Sequence, residues 1–184
     1  KYTSMHYLSW NASKRINVAV FEAMVWSAGD DAYPRGFDVN YLNPIIFYRP
    51  VEYTIGSPDN ALLGGAVNVK LGKKILTYAQ LVLDELLLDQ VRSGNGWFAN
   101  KQALQIGLVA RDAFRVAGLS VRGEWNFVRP FMYTHSDTRQ NYAHFGQPLA
   151  HPYGSNFQEA ILHVDRVSGR WYYGSRTSMA WLGS

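Results

Sequence analysis

The side chains able to do chemistry in this 184-residue chain fall into a few groups. His135, His144 and His151 share one stretch with Asp137, and neutral imidazoles can bind zinc. Their spacing fits no compact metal motif, and no HExxH helix brings two histidines to one face. Loop histidines making hydrogen bonds are the simpler expectation, so no metal and no cofactor is assigned. Asp30, Asp31 and Asp137 offer oxygen ligands for calcium, but no EF-hand loop surrounds them. Glu22, Glu52, Asp84, Glu85 and Glu124 contain enough carboxylates for glycoside hydrolysis, which needs two at a defined separation. The alternative is that such acids pair with Lys70, Arg111 or Arg122 and brace the inside of a β-structure. Cysteine is absent, which removes thiolate nucleophiles and disulfides. No GxSxG elbow occurs, and Gly94-Asn95-Gly96 lacks the lysine of a phosphate loop. No enzymatic activity is expected.

A further set suits carbohydrate. Tyr48, Arg49, Trp97, Asn100, Arg129, Tyr133 and Arg139 lie in long connections rich in aromatic, amide and charged residues. Aromatic rings stack on the apolar faces of sugars, while amides and guanidinium groups bond hydroxyls or uronates. For any one of them, packing within its own loop is the simpler role, since pockets use few convergent polar groups. Arg49 and Arg129, each followed by proline, are expected to anchor loops on carboxylates such as Glu52 or Glu124.

The elements that must position these residues are strands. Aromatic residues make up 15% of the chain, above what a helical protein needs, and they favour strands and membrane interfaces. No apolar run is long enough for a transmembrane helix, but barrel strands hide their hydrophobicity in alternation. A strand–turn–strand unit is expected over 2–12 and 16–26, with its turn at Ser13-Lys14-Arg15. A second spans 61–71 and 75–84 around Gly72-Lys73-Lys74. A third places Leu104, Ile106, Leu108 and Ala110 on one face, then Leu119, Val121, Gly123, Trp125 and Phe127 after a turn at 112–118. The last pairs 156–164 with 170–182. Residues 81–92 also suit an amphipathic helix, and beyond Asp84 loop and helix both stay open.

The expected fold is therefore all-β: an antiparallel transmembrane barrel with about eight strands in this single domain. Short turns at one end and long connections (27–60, 85–100, 129–155) at the other give the shape of an outer-membrane barrel; compact soluble domains seldom carry several such loops. Asn68, Lys70, Gln80, Asp84, Gln105, Arg111, Arg122, Glu124 and Asn126 are expected to face the lumen, and Trp125 and Phe127 the lipid. The net charge of +4 favours anionic partners such as lipopolysaccharide. Its cations are scattered rather than striped, which argues against nucleic acid.

Several connections carry distinctive words: RGFDVNYLNPIIFYRPVE (35–52), GSPDNALLG (56–64), QLVLDEL (80–86), GNGWFANKQALQIGL (94–108), NFVRPFMYTHSD (126–137) and QNYAHFGQPLAHPYGSNFQE (140–159). In this order they resemble the Wzi-like capsule-assembly family of outer-membrane barrels, nearest its Bacteroidetes branch with the RemB-type gliding-motility proteins. The resemblance covers roughly 10–159. It implies a bacterial outer-membrane location, outer-membrane lipid, surface polysaccharide and other outer-membrane proteins as partners, and a role in capsule attachment or assembly or in gliding. It also implies that this chain is a piece of a larger barrel. A porin-type channel and a structural subunit of a secretion or motility complex are the alternatives.

Overall fold

A computed structural model describes residues 1–29, 36–43, 59–84 and 101–183. Among them run β1 (Tyr2–Trp10), β2 (Ile16–Trp26), β3 (Asn60–Leu71), β4 (Ile75–Asp84), β5 (Lys101–Arg111), β6 (Leu119–Val128), β7 (Ala143–His144), β8 (Gln147–Pro148), β9 (Phe157–Ser168) and β10 (Trp171–Leu182). Eight of these form one antiparallel sheet in the order β1-β2-β3-β4-β5-β6-β9-β10, with the small β7–β8 hairpin inserted before β9. Among the described residues β1 and β10 are the edges and do not pair with each other, so the sheet is open.

Local chemistry sets the short turns. Ser13 Oγ accepts from the backbone N–H groups of Arg15 and Ile16 at 3.1 and 3.0 Å. In the β5–β6 turn, Asp112 accepts from Gly118 N at 2.9 Å and meets Lys74 at 3.1 Å. Both contacts hold its carboxyl below the usual range, the Gly118 bond first. Gly118 has φ +75, and a Cβ there would lie 2.3 Å from the Val167 carbonyl oxygen, so only glycine fits. β9 runs four residues closer to its turn than alternation suggests, and β10 begins one residue later, at Trp171. Gly169, at φ 59, allows the tight two-residue link that lets pairing continue through Ser168–Trp171. β5 begins at Lys101, three residues before the alternation becomes visible, because Lys101 is the cross-strand partner of Asp84.

The register divides the sheet into two unlike faces, since alternate residues point to opposite sides. One face carries the row Ile16, Val69, Thr77, Leu108, Gly123, Leu162 and Thr177. The next row is Val18, Val67, Ala79, Ile106, Trp125, Ala160 and Met179, and the next is Val20, Gly65, Leu81, Leu104, Phe127, Gln158 and Trp181. These three rows contain no charge. They are also uncovered: Ile106 is 48% exposed and Met179 60%. Glu22 falls on this face one row further toward the long loops, opposite Leu63. It therefore does not share a side with Asp84 and Glu124.

The opposite face is the packed one. Its core is Phe21, Ala23, Leu62, Val82, Ala103, Val128 and Phe157, joined by Met132 from the β6–β9 connection. Large and small residues interlock across strands. The Phe21 ring lies over its partner Gly64, and the Tyr78 ring over Gly107, so close that a Cβ at either glycine would overlap the ring. All nine residues expected to line a lumen, Asn68, Lys70, Gln80, Asp84, Gln105, Arg111, Arg122, Glu124 and Asn126, lie on this second face by register. Residues 36–43 pack on the first face at its loop end, where Tyr41 meets Trp26 with ring centres 4.7 Å apart.

Candidate functional site

The site is the space between the packed face and the 129–156 connection, which folds back over it. The connection is closed at its base, where Arg129 N donates to Gln102 O at 3.1 Å and Asn156 N to Arg129 O at 3.2 Å. Four contacts then hold it on the sheet. Tyr133 N donates to the Asp84 carboxylate at 2.7 Å. Lys101 Nζ, 4.0 Å from that carboxylate, donates to Thr134 O at 2.7 Å. Asn60 Nδ2 donates to Gln140 O at 3.0 Å, and His151 Nε2 lies 3.1 Å from Glu159. Asp84, Lys101, Asn60 and Glu159 are all buried. Buried polar groups of this kind are costly to leave unpaired, so each ties the connection firmly to its strand.

Beneath it lies a cavity of about 260 Å³. Its apolar walls include Tyr7, Phe21, Val82 and Phe157 from the sheet, with Tyr133 and Tyr142 from the connection. Burial, reinforced by the charge on Asp84, pushes the Tyr133 hydroxyl up to about 12. Burial raises Tyr142 as well. His151 stacks on Phe157 with ring centres 4.4 Å apart. Gln80, Gln105 and Asn126 supply the polar part of the wall. They are successive cross-strand partners on β4, β5 and β6, and Glu159 continues their row on β9.

Glu124 is held by neutral donors, whereas Asp84 on the same face lies 4.0 Å from the Lys101 ammonium. Glu124 accepts from the Tyr78 hydroxyl and from Asn126 Nδ2, the latter at 3.1 Å, and the Gln105 amide is also within its reach. Asn126 Nδ2 also lies 3.4 Å from Glu159. Arg122 bonds His163 at 2.9 Å. Neutral donors stabilise a carboxylate without the desolvation of a second ion, and at Glu124 they stand where pairing with Lys70, Arg111, Arg122 or Arg129 was expected.

Of the seven sugar-binding candidates, Tyr48, Arg49, Trp97 and Asn100 lie outside the described residues, as do Glu52 and Glu85. The other three sit on the connection but do different things. Tyr133 lines the cavity, and Arg129 forms the base of the loop through its backbone. Arg139 grips Asp137 with three bonds of 2.9–3.1 Å, a contact that holds the Asp137 carboxyl below the usual range. His135 Nδ1 accepts from Asp137 N–H, the His144 ring is tilted against Phe145, and His151 meets Glu159, so the three histidines do not converge on one point. The sequence pattern does not mark Tyr7, Phe21, Tyr142 and Phe157 as site residues, and it leaves His151 as a metal ligand or, more simply, a loop histidine making hydrogen bonds. Their convergence depends on register and on the folding back of the connection, which no local pattern carries.

Comparison with known proteins found no matching family model, no similar curated protein and no similar solved structure.

Proposed function

We propose that this chain forms part of the wall of a bacterial outer-membrane β-barrel that attaches or assembles surface polysaccharide. The observation that carries the membrane half is the uncovered face, three consecutive rows across the sheet without a charge. In water such a surface would be an association hazard; against hydrocarbon it is the required chemistry, because a cation near the midplane would cost about 2–4 kcal/mol. Trp125 and Phe127, stacked with ring centres 5.9 Å apart, then face lipid, while Arg122 and Glu124 face the interior. Lipid leaves no water for unpaired backbone groups, so the edges at β1 and β10 take strand partners. An eight-stranded barrel has room inside for side chains only, and residues 129–156 already occupy the inner face; the complete wall has more than eight strands.

The polysaccharide half is supported by the resemblance to Wzi-like capsule-assembly proteins and by the aromatic and amide chemistry of the connections. The gliding-motility branch of that resemblance makes other outer-membrane proteins natural neighbours. A connection folded across the inner face favours attachment over an open porin-type channel. The test is retention of extracted surface polysaccharide by the protein in lipid vesicles. The double variant Trp97→Ala with Arg129→Ala should lose most of it; retention equal to the unaltered protein would discard these loop residues as the binding surface.

A further inference from the structure

We infer that the cavity under residues 129–156 is a binding site for one neutral sugar unit. The inference rests on the polysaccharide half of the reading above, and names the ligand class of that site. Gln80, Gln105 and Asn126 stand on three neighbouring strands, about 4.8 Å apart, in one cross-sheet row. The Asn126 amide N–H groups are taken by Glu124 and Glu159, which leaves its Oδ1 to accept from a hydroxyl, while the Gln80 amide can donate or accept. Tyr133 and Tyr142 give apolar ring surface of the kind that covers a pyranose face. The volume, about 260 Å³, lies below the roughly 300–1,000 Å³ of sites for larger ligands, which limits the occupant to a small one.

Charge decides which sugar. Among the described residues no Lys or Arg lines the cavity, whereas Asn126 is bonded to two carboxylates, Glu124 and Glu159, and the His151 imidazole is turned to Glu159. A uronate or phosphate placed there meets negative charge without a guanidinium to answer it. The chain's excess of cations lies elsewhere. A hexose or an N-acetylhexosamine fits; an acidic sugar does not.

The experiment is calorimetric titration of the detergent-purified chain with methyl glucoside, methyl N-acetylglucosaminide and methyl glucuronide. Saturable heat is expected from one or both neutral glycosides and none from the glucuronide. Gln105→Leu should weaken the neutral ligand about ten-fold, and Gln80→Leu, further from the Glu124 network, about five-fold, with thermal unfolding unchanged in the latter. No saturable heat from either neutral glycoside, equal binding of the glucuronide, or unaltered affinity in both variants would overturn the inference. Lipid exposure of Ile106 is read separately, so a lipid-facing Ile106 with a silent titration removes the sugar site alone. A productive titration with Ile106 in water removes the membrane reading and keeps the site.

Discussion

The two faces of this sheet come from the same strands and alternate residue by residue, yet they solve different problems. On one face Ile106, Trp125 and Met179 stand uncovered in charge-free rows. On the other, Gln105, Asn126 and Glu159 are cross-strand neighbours in one row beneath a connection anchored by buried Asp84 and Lys101. A soluble sandwich would bury the first face and hydrate the second. Here the polar face carries the packing, and the apolar face is left to its surroundings. The difference teaches that the packed core and the uncovered apolar surface lie on opposite sides of one ribbon.

The largest effect should come from emptying the packed face. Phe21→Ala removes the ring that covers Gly64 and should cost about 3–5 kcal/mol in urea unfolding. A cost below 1 kcal/mol would mean that this face is not a core. Next comes a charge on the other face. Ile106→Arg should cost about 2–4 kcal/mol when unfolding is measured from lipid vesicles, although the position is exposed in the isolated chain. An exposed site in water would tolerate the change within about 0.5 kcal/mol, so the two environments give separable answers.

How much of this contrast was legible beforehand follows from what each feature depends on. The alternation of Leu119–Phe127 and Leu104–Ala110 reveals the strands because one side is uniformly apolar, and that pattern survives without knowledge of partners. β10 was harder to bound. Gly174, Ser175 and Ser178 blur its period, and its end is set by Gly169 at the turn. The grouping of Asn68, Gln80, Gln105 and Asn126 on one face follows from period two alone. That Gln80, Gln105 and Asn126 stand in a single row does not, since a slip of two residues would keep the face and lose the row. The hold of the connection on the sheet was invisible for a simpler reason. Tyr133 is attached through its backbone N–H and Gln140 through its carbonyl, groups that every residue has. Glu22 looked like one more interior acid, but its even position in β2 puts it with Val20.

A pH titration sharpens the comparison at the boundary of the packed face. The folded-state Tyr133 hydroxyl is raised to about 12, against about 10 when unfolded. The protonated form is therefore the one the fold prefers. Its contribution is complete below pH 10 and lost as pH rises to 12, on the order of 2 kcal/mol. Tyr133→Phe should flatten that part of the profile; an unchanged alkaline limb would show that Tyr133 is not buried by the connection. The smallest effect belongs to Arg139, which is exposed and paired with a partly exposed Asp137. Arg139→Met should shift stability by about 0–1 kcal/mol, and 1 M salt should erase the difference.

The account turns on what touches the charge-free rows, and spin labelling measures that directly. The chain has no cysteine, so Ile106→Cys and Gln105→Cys each give a unique label on adjacent, opposite-facing residues. In lipid vesicles, Ile106 should be relaxed by dissolved oxygen and shielded from a water-soluble nickel complex, with Gln105 reversed or shielded from both. Equal access of the nickel complex to Ile106 would contradict the account.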